Sequence, residues 1–203
     1  MVSNNKNPLK IFILIACLSL GVLYLLNYFN INLKQIRLAS KNQIRYEHVE
    51  PQQTNLLLKD YNKVLFHTTS NTVTVKYTYY AKGILKDEET VMSLAFEDIS
   101  NFEGELSWAE LFDDEAQEIR LKLDANDANT TAHVKLAEIV PAHKLITGTM
   151  TNKILNESIK TNQPIILQQW AYDASQVTLT EDITHQQTIK QNDYVVELSI
   201  TFT

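Results

Sequence analysis

Cysteine is almost absent: Cys17 stands alone, and the long stretch after it has none. A disulfide framework is excluded, and so are thiolate metal clusters of the zinc-finger kind. Glycine and proline are also scarce, at four each in 203 residues, which rules out collagen-like and low-complexity architectures. No phosphate-cradling glycine loop, no G-x-S-x-G elbow and no H-E-x-x-H helix occurs. The third shortage is local. From Asp87 to Glu118 there are twelve acids and no Lys or Arg, while the rest of the chain carries eighteen bases and twelve acids. With a net charge of −6, nucleic-acid binding is disfavoured, because phosphate contact depends on positive charge.

What is present, first of all, is an apolar run. Leu9 to Phe29 reads LKIFILIACLSLGVLYLLNYF, and no charged side chain occurs between Lys10 and Lys34. As a helix, Ile11 to Phe29 is about 28 Å long, matching a hydrocarbon core of about 30 Å. Tyr24 and Tyr28 suit the headgroup boundary. The expectation is a single transmembrane helix over 9–29, uncleaved, after a short tail over 1–8. Two rivals share these residues. A cleaved signal peptide with Ser19-Leu20-Gly21 as its site leaves a very apolar new N-terminus. A lipoprotein uses Leu14-Ile15-Ala16-Cys17 as its lipobox, but twelve mostly apolar residues follow the cysteine. Orientation is contested too. Lys34, Arg37, Lys41 and Arg45 after the span count against translocation, while a cysteine-free remainder suits an oxidising space outside the cytoplasm. Export is the reading adopted.

Residues 30–55 are polar and weakly periodic, and Pro51-Gln52-Gln53 is breaker-like, so a stalk or linker is expected there. Residues 56–203 are expected to form a mainly all-β, sandwich-like domain with one or two short helices, placed outside the cytoplasm. Val73, Val75, Tyr77 and Tyr79 alternate with polar neighbours, as do Ile119, Leu121 and Leu123. The longest clean alternation, Tyr194 to Phe202, predicts a central strand with Ser199 turned outward. Weaker strands are expected at Val91 to Glu97, Thr131 to Ala137, Leu145 to Met150, Ile165 to Trp170 and Val177 to Thr180. Helices are expected at Thr151 to Lys160, from the spacing of Ile154, Leu155 and Ile159, and less clearly at Leu56 to Leu65. Ser107 and Glu110 have capping-box spacing, but Leu106 and Trp108 alternate like a strand, and the sequence does not decide between them.

Two sets of site residues emerge. Trp108, Trp170 and Tyr172 are candidates for a flat aromatic platform that takes sugar rings, with core packing as the alternative for such residues. Asp113, Asp114 and Glu115 are the densest part of the acidic segment and the candidate patch for a basic partner or a cation. His48, His67, His133, His143 and His185 lack metal-ligand spacing, and His133 is expected to face solvent. No catalytic, cofactor or metal residue is assigned. The function expected is that of a non-enzymatic, membrane-anchored domain outside the cytoplasm, single-pass, serving as an interaction or accessory subunit of the cell envelope with a protein partner. The alternative is an anchored glycan-binding module, and behind it stands a hydrolase using paired carboxyls, which need no fixed sequence spacing.

Overall fold

Threonine, valine, isoleucine and tyrosine recur at alternate positions in several segments, such as 72–80 and 194–202, and β-branched and aromatic side chains pack best on a pleated surface. The computed structural model accordingly places them in strands. It describes residues 42–49, 59–96, 102–113, 116–126, 128–140, 145–153, 155–179 and 186–203. The strands there are β1 (Gln43–Glu47), β2 (Lys59–Thr68), β3 (Thr72–Ala81), β4 (Ile84–Ala95), β5 (Phe102–Asp113), β6 (Ala116–Ala125), β7 (Ala128–Lys135), β8 (Ile146–Thr151), β9 (Asn156–Ser158), β10 (Ile165–Asp173) and β11 (Tyr194–Phe202). Two short helices, α1 (Leu136–Ile139) and α2 (Gln186–Gln191), complete the described elements. The expected span over 9–29 lies outside the described residues. Among those described, no helix is long and apolar enough to cross a membrane.

The strands form two antiparallel sheets. The first has the order β7-β6-β5-β2-β1-β9, and the second β4-β3-β11-β10-β8. Their inner faces share one core, in which Phe66 meets the rings of Phe102 and Phe202 at centroid distances of 6.0 and 5.2 Å. Gly104 faces Phe66 across β5 and β2, and a Cβ there would stand 2.7 Å from the Asp124 carbonyl oxygen. That position therefore admits no side chain without movement of the backbone.

β11 is central, flanked by β3 and β10, as its alternation predicts. Its outer face is covered as well, because Val195 packs with Ala171 and Ile189 of α2. Ser199 is buried rather than turned to solvent. At the other extreme, the β3–β4 hairpin turns on Lys82 (φ 50°) and Gly83 (φ 77°), the two left-handed residues of a tight hairpin loop.

Several expectations need correction. Thr151 to Lys160 is not a helix. The chain leaves the second sheet, where the Asn152 N–H donates to the Leu167 carbonyl at 2.8 Å, and enters the first, where the Tyr46 N–H donates to the Leu155 carbonyl at 2.8 Å. Leu155 and Ile159 are buried where the chain crosses, and their spacing mimics a helical stripe. Leu56 to Leu65 is not a helix where it is described, since β2 begins at Lys59. Val177 to Leu179 is not a strand. The Asn192 side chain binds it instead, accepting the Thr178 N–H at 2.9 Å and donating to the Thr178 carbonyl at 2.8 Å. The linker expected over 30–55 contains β1, which pairs with β2 and β9 inside the first sheet. The compact unit accordingly runs over Lys41–Thr203.

Candidate functional site

Trp108 and Glu110 project from β5 into the space between the sheets. Gln168, Trp170 and Tyr172 project from β10 to meet them. A register shift between Ile166 and Gln168 makes this possible. Strict alternation from Ile165 and Leu167 would turn Trp170 and Tyr172 to the opposite face, and the extra residue in the bulge restores them to the inside.

The result is a sealed polar network. Glu110 is 1% exposed, and its Oε1 accepts the Trp170 indole N–H at 2.5 Å and the Gln168 amide at 2.7 Å. Its Oε2 accepts the Gln117 amide at 3.2 Å. The Gln117 carbonyl oxygen in turn accepts the Tyr172 hydroxyl at 2.8 Å. Gln168 Oε1 accepts the Trp108 indole N–H and, at 3.4 Å, the Asn62 amide. The Asn62 carbonyl oxygen accepts the Tyr46 hydroxyl at 3.0 Å. Burial, followed by the Glu110 charge, raises the pKa of Tyr172. Five strands are tied in this way, each buried polar group finding a partner that offsets its lost hydration. The aromatic platform expected at Trp108, Trp170 and Tyr172 is thus overturned: all three are buried, and their polar atoms face protein partners.

The acidic segment is divided by strand parity. Asp87, Glu88 and Glu89 are exposed on β4, and Glu103 and Glu105 lie on the outer face of β5, where Lys63 bridges Glu105 at 2.7 Å and Glu47 at 3.4 Å. Burial works to lower the pKa of Lys63, but the hydrogen bond and charge of Glu105, with the charge of Glu47, raise it. Asp113 pairs in register with Ala116 at the β5–β6 turn. Its side chain, and the whole of Asp114 and Glu115, lie outside the described residues. Among those described, no group of His, Cys, Asp or Glu is placed to hold a metal ion.

Two of the concave regions among the described residues are the larger ones. A cleft of about 630 Å³ opens where β4 and β3 of the second sheet face β7 and α1 of the first, lined by Tyr77, Tyr79, Asp87, Glu89, His133 and Glu138 among others. The Tyr77 hydroxyl donates to Glu89 Oε2 at 2.6 Å, and burial together with that bond raises the tyrosine pKa. The second region is a groove of about 800 Å³ on the outer face of the first sheet, between Tyr61, Ala109, Leu111, Arg120 and Lys122. Its bases are already paired, Arg120 with Glu118 at 3.1 Å and Lys122 with Asp124 at 2.7 Å. His133 is exposed, as expected.

Sequence reasoning missed one region, the exposed half of β4. Seven successive residues, Ile84 to Thr90, are exposed on β4 after the hairpin turn, whose Lys82 N–H donates to the Asp193 carbonyl at 2.7 Å. Ile84 at 60% and Leu85 at 54% come first, and Asp87, Glu88 and Glu89 follow. Two large apolar residues beside a two-residue turn, followed by Lys86 and then three acids, were the available signal. No protein-family model, curated protein or solved structure matches the chain.

Proposed function

We propose that the chain is a membrane-anchored interaction domain of the cell envelope, displayed outside the cytoplasm from the apolar segment Leu9 to Phe29, and that it docks a protein partner through the β3–β4 hairpin. The hairpin tip carries this reading. Ile84 and Leu85 expose large apolar surface beside the hairpin turn, and Lys86 to Glu89 supply a charged rim, which is the apolar-centre, polar-rim arrangement of recognition surfaces. Net acidity along β4 favours a partner with a basic face. The glycan-binding alternative loses its residues to the core.

The test is a pull-down of the full chain from detergent extract. Companion proteins are expected with the unaltered chain and are expected to be lost from an Ile84→Asp, Leu85→Asp double variant. Companions retained by the variant overturn the hairpin as the docking surface, and their absence from both overturns the interaction reading. Intact-mass analysis tests the anchor separately: Met1 or Val2 should be the first residue, and an acylated Cys17 would install the lipoprotein reading.

A second reading, hydrolysis by paired carboxyls, draws support from the cleft that Asp87 and Glu89 line together. It ranks lower because both side chains belong to exposed residues, whereas a carboxyl that serves as general acid is usually kept protonated by apolar surroundings.

A further inference from the structure

Two sheets have four edges, and an edge strand presents unpaired N–H and C=O groups that invite another strand. Three of the four are guarded. β4 carries Asp87, Glu88 and Glu89 and has two register shifts. β7 bears Lys135 and runs directly into α1. β9 is only three residues long and contains Glu157. The fourth, β8, has the sequence ITGTMT: six residues with no charge, no proline and a regular register on β10. Ile146 is 50% exposed, and Thr147 and Thr149 are exposed as well. Among the described residues no strand pairs with its far side.

We propose that β8 is a self-pairing edge, through which two copies of this chain join antiparallel about a two-fold axis to extend the five-stranded sheet of one copy into that of the other. The occupant follows from symmetry and charge. A two-fold axis sets each edge against itself, so an edge on which one sign predominates brings like charges together. β4 would oppose acids to acids in a chain of net charge −6, whereas β8 opposes none.

The pattern of β8 is also self-complementary. Thr147, Thr149 and Thr151 lie opposite the inward residues Tyr172, Trp170 and Gln168 and so share the inner face, while Ile146, Gly148 and Met150 share the outer one. A continuous antiparallel sheet keeps inner faces inner across the axis. Centred on Thr149, the pairing sets Thr149 against itself and Thr147 against Thr151. Centred on Gly148, it sets Thr147 against Thr149 and Ile146 against Met150. Threonine meets threonine in both registers, a cross-strand pair that adds hydroxyl hydrogen bonds. On the outer face Val177 and Leu179 pack so closely on Gly148 that a Cβ there would stand 2.7 Å from Val177 Cγ1.

Six paired residues bury less than a standard interface, so the dimer is concentration-dependent. The test is the mass of the full chain in detergent by light scattering, from about 1 to about 100 µM. The expected result is a shift from monomer to dimer that is abolished by Thr149→Lys and preserved in Glu88→Lys, which alters the β4 edge instead. If circular dichroism shows Thr149→Lys unfolded, Thr147→Lys gives the same reading. Separately, Thr149→Cys in a Cys17→Ser background should form an oxidised, disulfide-linked dimer or, in the Gly148-centred register, cross-link through Thr149 to a second chain carrying Thr147→Cys. A chain that stays monomeric throughout, a dimer untouched by charge on β8, or a dimer lost in Glu88→Lys overturns the proposal. The hairpin variants at Ile84 and Leu85 leave this dimer intact, so the two docking surfaces fail or stand independently.

Discussion

Glu110 and Glu89 belong to one acid-rich segment, yet Glu110 is sealed between the sheets beneath the Trp170 N–H and the Gln168 amide, whereas Glu89 stands exposed on β4 with Tyr77 as its hydroxyl partner. The difference teaches that a run of like charge is not one feature. Strand parity sends Glu110 inward beside Trp108, and Asp87 to Glu89 lie in water on the edge strand β4. An acid in the core acts through the donors that it satisfies, while an acid on the hairpin acts through its field.

Substitutions can break or sharpen that contrast. Glu110→Ala is expected to cost the most, about 3 to 5 kcal/mol, because it orphans at least two buried donors at about 1 to 3 kcal/mol each. Glu110→Gln, which keeps an acceptor, should lose less than half as much. Urea titrations read by tryptophan fluorescence measure both directly, since Trp108 and Trp170 are themselves members of the network. Equal losses from the two variants would show that charge, rather than hydrogen bonding, is what the core requires.

Leu198→Ala removes an apolar neighbour on the inner face of β11 and is expected to cost about 2 to 4 kcal/mol through lost burial and the cavity left behind. Thermal melts should show it well below the unaltered chain. Gly104→Ala should follow at about 1 to 3 kcal/mol, because its methyl group meets Phe66 and the Asp124 carbonyl.

An acid at the boundary gives an effect that appears only at low pH. Asp173, at the end of β10, is lowered from 3.8 to about 2 by the backbone N–H groups of Gln176 and Ser175 and by the Ser175 hydroxyl. Its folded pKa lies below its unfolded one. Its stabilisation is therefore complete above pH 4 and fades as the pH falls toward 2. Melting temperatures taken across that window should decline less in Asp173→Asn than in the unaltered chain, and parallel curves would remove Asp173 from the acid response. Glu88→Ala is the smallest change. It breaks the exposed Lys76–Glu88 bridge of 2.5 Å and should move stability by no more than about 0.5 kcal/mol.

The alternation over Tyr194–Phe202, Thr72–Ala81 and Ala116–Ala125 made three long strands legible, because half-buried strands record their two faces in every second residue. It failed where both faces are covered. On β11 the outer Val195 gave no sign that Ile189 of α2 packs against it, and Ser199 is buried although a polar residue in a strand reads as exposed whether or not another segment covers it. The Trp108–Glu110–Gln168–Trp170–Tyr172 network was half legible. Leu106, Trp108 and Glu110 share a parity, and that alone places the carboxyl beside the indole. The bulge at Ile166/Gln168 has no such signature, because one inserted residue inverts every later assignment on β10 without altering composition. Leu155 and Ile159 misled for a related reason: a chain crossing between sheets buries residues at intervals that copy a helix.

The place of β11 also governs how quickly the fold can be reached. Its partner β3 lies more than one hundred residues away in sequence, and β1 and β9 are separated by a similar distance. The β3–β4 and β5–β6 hairpins are local and can close within microseconds, but the second sheet is joined only when β11 finds the gap between β3 and β10. Until then two apolar margins remain open to solvent. Refolding is expected to be slow, in the millisecond-to-second range of distant β pairings, with the waiting intermediate as the species most prone to associate wrongly.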